Sequence, residues 1–410
     1  MNSRRGRMIG LAILAMAVGT LSGSAETQAE RMARLEEQVA GLQKELAQIQ
    51  GAPAPAPSAG PLAGIKIGGD FRYRHEWTDD ETKTADRNRD RIQARISLVG
   101  AVNERIDYGV RLASGNSEEL TREGSPTSNN QDLGNAFSGK NIWLDLAYVA
   151  FRPRTLDGLN LTGGKMNNPY ARVGNSDLMF DTDVTPEGLA VDYKAPALEK
   201  LTVFGAAGGF YVRERKEEAE TTLVGAQGGG TLKFGGQDAF QITAGAGYYD
   251  YAGVQGREGL GADPKQFYGN RSVDGLYASD FELVQGFAEL GLPAGALPLR
   301  LFGDYIYNTQ AESDDDSAFL VGASLGKLKD PGSWTVAYNY RDLEADSLLG
   351  VLTEATFGGG GTGVKGHKLS LSVQVAKNTQ LGATYMKADR TRGGTTADFD
   401  VGMVDFTFKF

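Results

Sequence analysis

Cysteine is absent from the 410-residue chain, which excludes a disulfide scaffold, a thiolate zinc cluster and a thiol nucleophile. Only 2 histidines are present, His75 and His367, leaving little for a metal site or for acid–base catalysis. Beyond residue 25 there is no run of about 18 apolar side chains, so no segment there could cross a bilayer as a helix. Cationic residues are in deficit, with 42 Lys and Arg against 52 Asp and Glu for a net charge of -10. Attraction to phosphate needs a clustered basic excess, so a general nucleic-acid binder is disfavoured. Proline is modest at 13 residues, whereas glycine reaches 56, about twice the ~7% of ordinary chains. Such a composition suits many tight turns and closely spaced strands.

The chain divides into a leader, a helix, a spacer and a long remainder. Arg4, Arg5 and Arg7 precede an apolar run from Met8 to Leu21, and Gly23 and Ala25 stand where a cleavage site needs small residues. Residues 1–25 read as a cleaved signal peptide of the general secretory type. From Glu26 to Gln50, Met32, Leu35, Val39, Leu42, Leu46 and Ile49 alternate steps of three and four residues. That spacing is a coiled-coil seam over residues 26–50. A helix this short needs partner helices, the same segment of other subunits being the nearest source. Residues 51–64, with Pro53, Pro55, Pro57 and Pro61, form a stiff extended linker.

From Ile65 the period changes to two. Ile65, Ile67, Phe71, Tyr73 and Trp77 share one face, and Lys66, Asp70, Arg72, Arg74 and Glu76 the other. About sixteen such segments follow one another to the last residue. Short turns near Val102, Pro153, Pro196, Gly235, Pro293, Pro331 and Asn378 alternate with longer links, among them 115–139, 169–185, 251–279 and 342–366. Tight turns at one end and long loops at the other predict an all-β, closed, antiparallel transmembrane barrel over 65–410. Closure follows because hydrocarbon offers nothing to an unpaired edge. At sixteen strands the interior holds water, whereas at about eight it is filled by side chains. An even strand number brings both barrel ends to one side, where the coiled coil could reach the cell wall. The last segment puts Val404, Phe406, Phe408 and Phe410 on the apolar face, as in an interfacial girdle.

Three stretches, Gly163 to Pro169, Asp181 to Leu189 and Tyr340 to Asp346, resemble the Putative porin family of Gram-negative bacteria, and the resemblance spans most of the chain. It implies an outer-membrane porin for passive diffusion of small hydrophilic solutes and ions, embedded among lipid and lipopolysaccharide and assembled as a homotrimer. It also implies that Phe406, Phe408 and Phe410 act as the signal read by the barrel-assembly machinery. In porins of this size the link after the fifth strand folds into the lumen. Here that link carries Asp177, Asp181 and Asp183, with Glu187 at its end. Inward parity on the first three strands gives Arg72, Arg74, Arg91, Arg95 and Arg111. Opposed charges across a constriction would set up a transverse field that orients polar solutes. The competing reading is a set of wall charges paired with Asp70, Glu76 and Asp107. Arg341, Lys368, Asp145 and Asp304 also face inward and are expected to keep the channel wetted.

No cofactor, metal or catalytic residue is expected. An enzyme would have to use His75 or His367, both of outward parity, and no plausible serine motif accompanies them. The glycines from Gly358 to Gly361 lack the Gly-Lys-Ser/Thr ending of a phosphate cradle, and Asp314 to Asp316 lack the spacing of a calcium loop. Tyr305 and Tyr307 read as lipid or subunit contacts. Two functional alternatives remain: a structural tether gripping the cell wall through the coiled coil, and a substrate-selective channel.

Overall fold

The computed structural model describes residues 33–34, 36–41, 64–116, 124–134, 136–235, 240–295 and 297–410. Residues 1–63 and 64–410 form two separate units. In the first, Ala33, Arg34 and Glu36 to Gly41 are helical and exposed, with Val39 52% exposed. The signal peptide, the linker up to Ala63 and every seam position other than Val39 lie outside the described residues.

The second unit is a closed antiparallel barrel of sixteen strands among the described residues. They are β1 (Lys66–Asp80), β2 (Arg87–Asn103), β3 (Ile106–Ser114), β4 (Ile142–Phe151), β5 (Leu159–Lys165), β6 (Glu187–Leu198), β7 (Leu201–Arg213) and β8 (Thr221–Phe234). There follow β9 (Phe240–Ala252), β10 (Phe281–Ala294), β11 (Leu297–Asn308), β12 (Ser317–Gly326), β13 (Trp334–Leu343), β14 (Val364–Ala376), β15 (Thr379–Arg392) and β16 (Thr395–Lys409). Each strand pairs with its neighbours in sequence, and β1 pairs with β16 from Asp70↔Lys409 to Asp80↔Phe399. Two further bonds, Gly69 N–H to Phe410 O at 3.0 Å and Phe410 N–H to Gly69 O at 3.1 Å, complete the seam. Joining the first strand to the last closes the sheet on itself, the condition for placing it in hydrocarbon.

The two-residue period decides which side of the wall each side chain meets. On β1, Ile67 and Tyr73 point outward at 65% and 41% exposure, while Arg74 and Glu76, of the opposite parity, point inward and are buried. The same outward set continues with Leu98, Leu112, Leu189, Val224, Leu369 and Phe406. A band of large exposed apolar side chains this extensive is untenable in water and belongs against lipid. Trp77, Tyr248, Tyr305, Tyr307, Tyr338 and Tyr385 fall on this outer face near the loop ends of their strands, where amphipathic rings suit the membrane interface. Several tips are tied down: Tyr385 donates to Asp400 at 2.7 Å, and Tyr338 bonds His367 at 2.8 Å. His75 contacts Asp90 at 2.9 Å. Both histidines thus sit in this outer belt.

One part of the loop pattern differs from the sequence reading. The strands β15 and β16 are joined at the loop end by Gly393 and Gly394 alone, with φ of 56° and 80°. Two successive positive φ values match the hairpin turn that glycine permits, so β16 starts at Thr395 rather than near 400. The polar run Thr395, Thr396 hides the alternation there. Residues 81–86, 214–220 and 309–316 are also compact. The long links are 115–141, 166–186, 253–280 and 344–363; 166–186 and 344–363 turn inward, as do Asn129 and Asn130 of the first, which reach Asp183 and Arg72.

Candidate functional site: the charged lumen and its inward loop

The loop 166–186 follows the inner wall around the barrel. Its Ala171 N–H donates to Gln227 on β8 at 2.7 Å, and its Gly174 N–H donates to Glu289 on β10 at 2.7 Å. Ser176 Oγ donates to Asp304 on β11 at 2.8 Å, and Asp177 pairs with Arg341 on β13 and Lys368 on β14 at 2.8 and 3.0 Å. The chain then crosses to the opposite wall, where Asp183 accepts from Arg95 on β2 at 3.3 Å and from the Asn129 N–H at 3.0 Å. These anchors run in strand order from one side of the lumen to the other.

Apolar packing holds the loop on one half of the wall. Met166, Tyr170, Val173, Leu178, Met179, Phe180 and Val184 are buried, and pack with Phe210, Leu223, Tyr249, Phe287 and Phe302 of β7 to β11. Tyr170 stands edge-on to Tyr249 with ring centroids 4.9 Å apart, a geometry that adds about 0.5–1.5 kcal/mol to simple burial. Gly174 permits the closest approach. Its φ is 55°, and a Cβ there would come 2.3 Å from the Phe302 ring, so any other residue would lift the loop off the wall.

The loop 344–363 docks on this first loop. The Asp181 N–H donates to Leu352 O at 2.8 Å, and Ala355 N–H donates back to the Asp181 carboxylate at 3.2 Å. Asn270 of 253–280 in turn donates to Ala345 O and Leu348 O, both at 2.8 Å. At the centre lies a four-charge cluster of Arg341, Lys368, Asp177 and Glu354 with separations of 2.8 to 3.1 Å. Arg341 is 2% exposed and its guanidinium lies 4.7 Å from the Phe357 ring centre. Burial alone would raise the Asp177 carboxyl, but Arg341 and Lys368 hold it below the usual carboxylate range. Burial, reinforced by Asp177, pushes Glu354 up. Asp181 has no such cations; burial, with Asp183 nearby, pushes it well above the usual range. Arg341, Lys368 and Asp304 thus fasten the inward loops to the wall.

The opposite wall carries the arginines. Arg74 grips Asp405 of β16 in two bonds of 2.7 and 2.9 Å. Arg72 lies 3.9 Å from the same carboxylate and donates to Asn130 at 2.7 Å. Arg91 pairs with Glu76 and Asp132, Arg95 with Asp70 and Asp183, and Arg111 with Asp145. Arg89 joins Glu76 and Asp132, and Arg87 reaches Asp132. Asp107 instead pairs with Arg152. Glu187 stands apart from the loop acids: it opens β6, exposed, and pairs with Lys165 at 2.7 Å.

Arg87 and Arg89 share the parity of Arg91 and Arg95, so the sequence carried a signal for them. Asp405 was likewise visible as an inward position of the last strand. Asp132 lies on a two-residue strand, Gln131–Asp132, that pairs with Arg91 and Ile92 of β2, and Glu354 lies in a loop; neither segment is long enough or regular enough for a period to mark it.

Comparison with solved structures places this architecture among bacterial porins. Pseudomonas putida OprB at high pH aligns over 85% of this chain and 94% of its own, with a TM-score of 0.53 at 11% identity. Salmonella typhi OmpF in complex with daunomycin aligns over 84% of this chain and 97% of its own, with a TM-score of 0.50 at 13% identity. At such identities the likeness is one of fold. No curated protein sequence matches the chain. The family described as Putative porin, however, matches residues 73–279 and 280–410, and the chain belongs to that family of outer-membrane β-barrel channels.

Proposed function

We propose that the barrel conducts small hydrophilic solutes and ions by passive diffusion, through the lumen left between the inward loop 166–186 and the arginine wall of β1 to β3. The observation that carries this reading is the path of that loop. It is packed along β8 to β14 and then crosses to Arg95 through Asp183, which narrows a sixteen-stranded interior without the side-chain filling of a small barrel. In this proposal Arg72, Arg74, Arg91, Arg95 and Arg111 line the wall of the constriction, Asp183 reaches that wall from the inward loop, Asp181 holds the second loop against the first, and Asp177 anchors the loop to β13 and β14. Polar groups on both sides keep the passage hydrated. Export by the signal peptide, reading of Phe406, Phe408 and Phe410 by the assembly machinery, and trimers supported by residues 26–50 complete the proposal.

Single-channel recording in planar bilayers tests it. Discrete steps that scale linearly with salt are the expected result. Permeation confined to one class of solute would make it a substrate-selective channel, and silence together with cell-wall binding by residues 26–50 would make it a tether.

A further inference from the structure

The arginine wall is close to electrically neutral. Seven guanidiniums, those of Arg72, Arg74, Arg87, Arg89, Arg91, Arg95 and Arg111, face six carboxylates within ion-pair distance, with Asp70, Glu76, Asp132, Asp145, Asp183 and Asp405 as partners. The four-charge cluster around Arg341 is balanced two against two. Paired charges in contact have weak fields at a distance, so the residues that bias ion flow must be sought elsewhere.

They lie at the turn end. Lys66, Lys194, Lys233, Arg300 and Lys409 all have inward parity, and each stands near the turn end of its strand. None has a carboxylate partner among the described residues. The inward carboxylates at that end are mostly engaged: Asp70 with Arg95, Asp107 with Arg152, and Asp192 with the Asn160 amide. Glu289 accepts from the Gly174 N–H. Cations therefore outnumber the uncompensated acids, Asp192 and Glu289, on this stretch of lumen.

Two of the five stand on one hydrogen-bonded row. Lys233 pairs with Gln241, Gln241 with Gly291, Gly291 with Arg300 and Arg300 with Ser324. The Gln241 side chain lies over the glycine, with its Cγ 2.7 Å from where a Cβ would be. Ser324 is 6% exposed, and its buried hydroxyl has no hydrogen-bond partner among the described residues. A guanidinium without a counter-ion beside an unused hydroxyl offers what an oxyanion binds.

Building on the channel reading above, we propose that the turn-end half of the lumen is an anion-binding vestibule. Lys233, Arg300 and Ser324 form its strongest station, and the ligands are small oxyanions such as carboxylates and phosphates. Anion preference then originates here, and the paired arginines contribute little to it.

The test is the reversal potential under a potassium chloride gradient, with inorganic phosphate as a second probe. Wild-type channels are expected to favour chloride over potassium and to show saturable block by phosphate. Lys233→Gln with Arg300→Gln should abolish the phosphate block and move the reversal potential toward zero. Asp107→Asn with Arg152→Gln, which removes a balanced pair at the same end of the barrel, should leave both unchanged. A conducting wild type that favours potassium, or a Lys233/Arg300 variant with unaltered selectivity and block, overturns the vestibule while leaving the channel standing. Absence of any conductance overturns the channel, and the vestibule with it.

Discussion

Replacing Arg341 with glutamine removes one of the two cations that join both inward loops to the wall. Arg341 is 2% exposed, pairs with Asp177 at 2.8 Å and with Glu354 at 3.1 Å, and covers the Phe357 ring. Removing one member of a buried ion pair costs about 3–5 kcal/mol, because its partners stay buried and uncompensated. Part of that is recovered. Glu354, already displaced upward by burial and by Asp177, can take a proton, after which Lys368 still neutralises Asp177. A net penalty of roughly 3 kcal/mol remains. Strand pairing does not depend on this cluster, so the penalty falls on local opening of the loops rather than on the barrel. At 1.4 kcal/mol per decade, amides of residues 171–184 should exchange with deuterium about a hundredfold faster, while those of β8 to β12 keep their rates. Arg341→Met combined with Glu354→Gln removes one charge of each sign and leaves the Lys368–Asp177 pair, so most of the protection should return. Unchanged exchange in the single variant, or equal opening in the double, would refute the clamp.

Two further outcomes follow from the same loop. The Asp181 carboxyl is raised in the folded state by burial and by Asp183, so its contribution is most favourable below its unfolded value near 4 and is lost as pH rises through the folded value. Asp181→Asn should flatten the fall in loop protection with rising pH, read by hydrogen exchange between pH 5 and 9, and should be neutral or protective at pH 8. Gly174→Ala must displace the loop from Phe302 into the lumen, since the new Cβ would approach the ring to 2.3 Å at a φ of 55°. Single-channel conductance is expected to fall, whereas Gly286→Ala on the outer face, where a Cβ meets nothing within 4 Å, should leave it unchanged.

The barrel was legible because a strand exposed to lipid on one side and water on the other writes its geometry as a period of two, and sixteen repetitions leave little ambiguity. Arg72, Arg74, Arg91, Arg95 and Arg111 were placed on the inner face by parity alone. What parity could not supply was pairing. Asp405 and Arg74 are 331 residues apart, and only the register of β16 against β1 brings them together. The loops were harder still: nothing in 344–363 marks Glu354 as the partner of Arg341, because irregular backbone has no period to follow. Lys194, Lys233 and Arg300 sit near strand ends, where an isolated basic residue reads as an ordinary rim charge.

The seam between β1 and β16 has a consequence for how the molecule is made. Asp70 and Lys409, which face each other across it, come from opposite extremes of the barrel sequence, so this contact is the most expensive loop closure in the fold and the last to be repaid. Every other pairing can form between consecutive segments as they become available. Until the final strand arrives, two raw edges face outward, each able to recruit a neighbouring chain. Shielding them during that interval, more than any later event, determines whether a molecule becomes a ring or an aggregate.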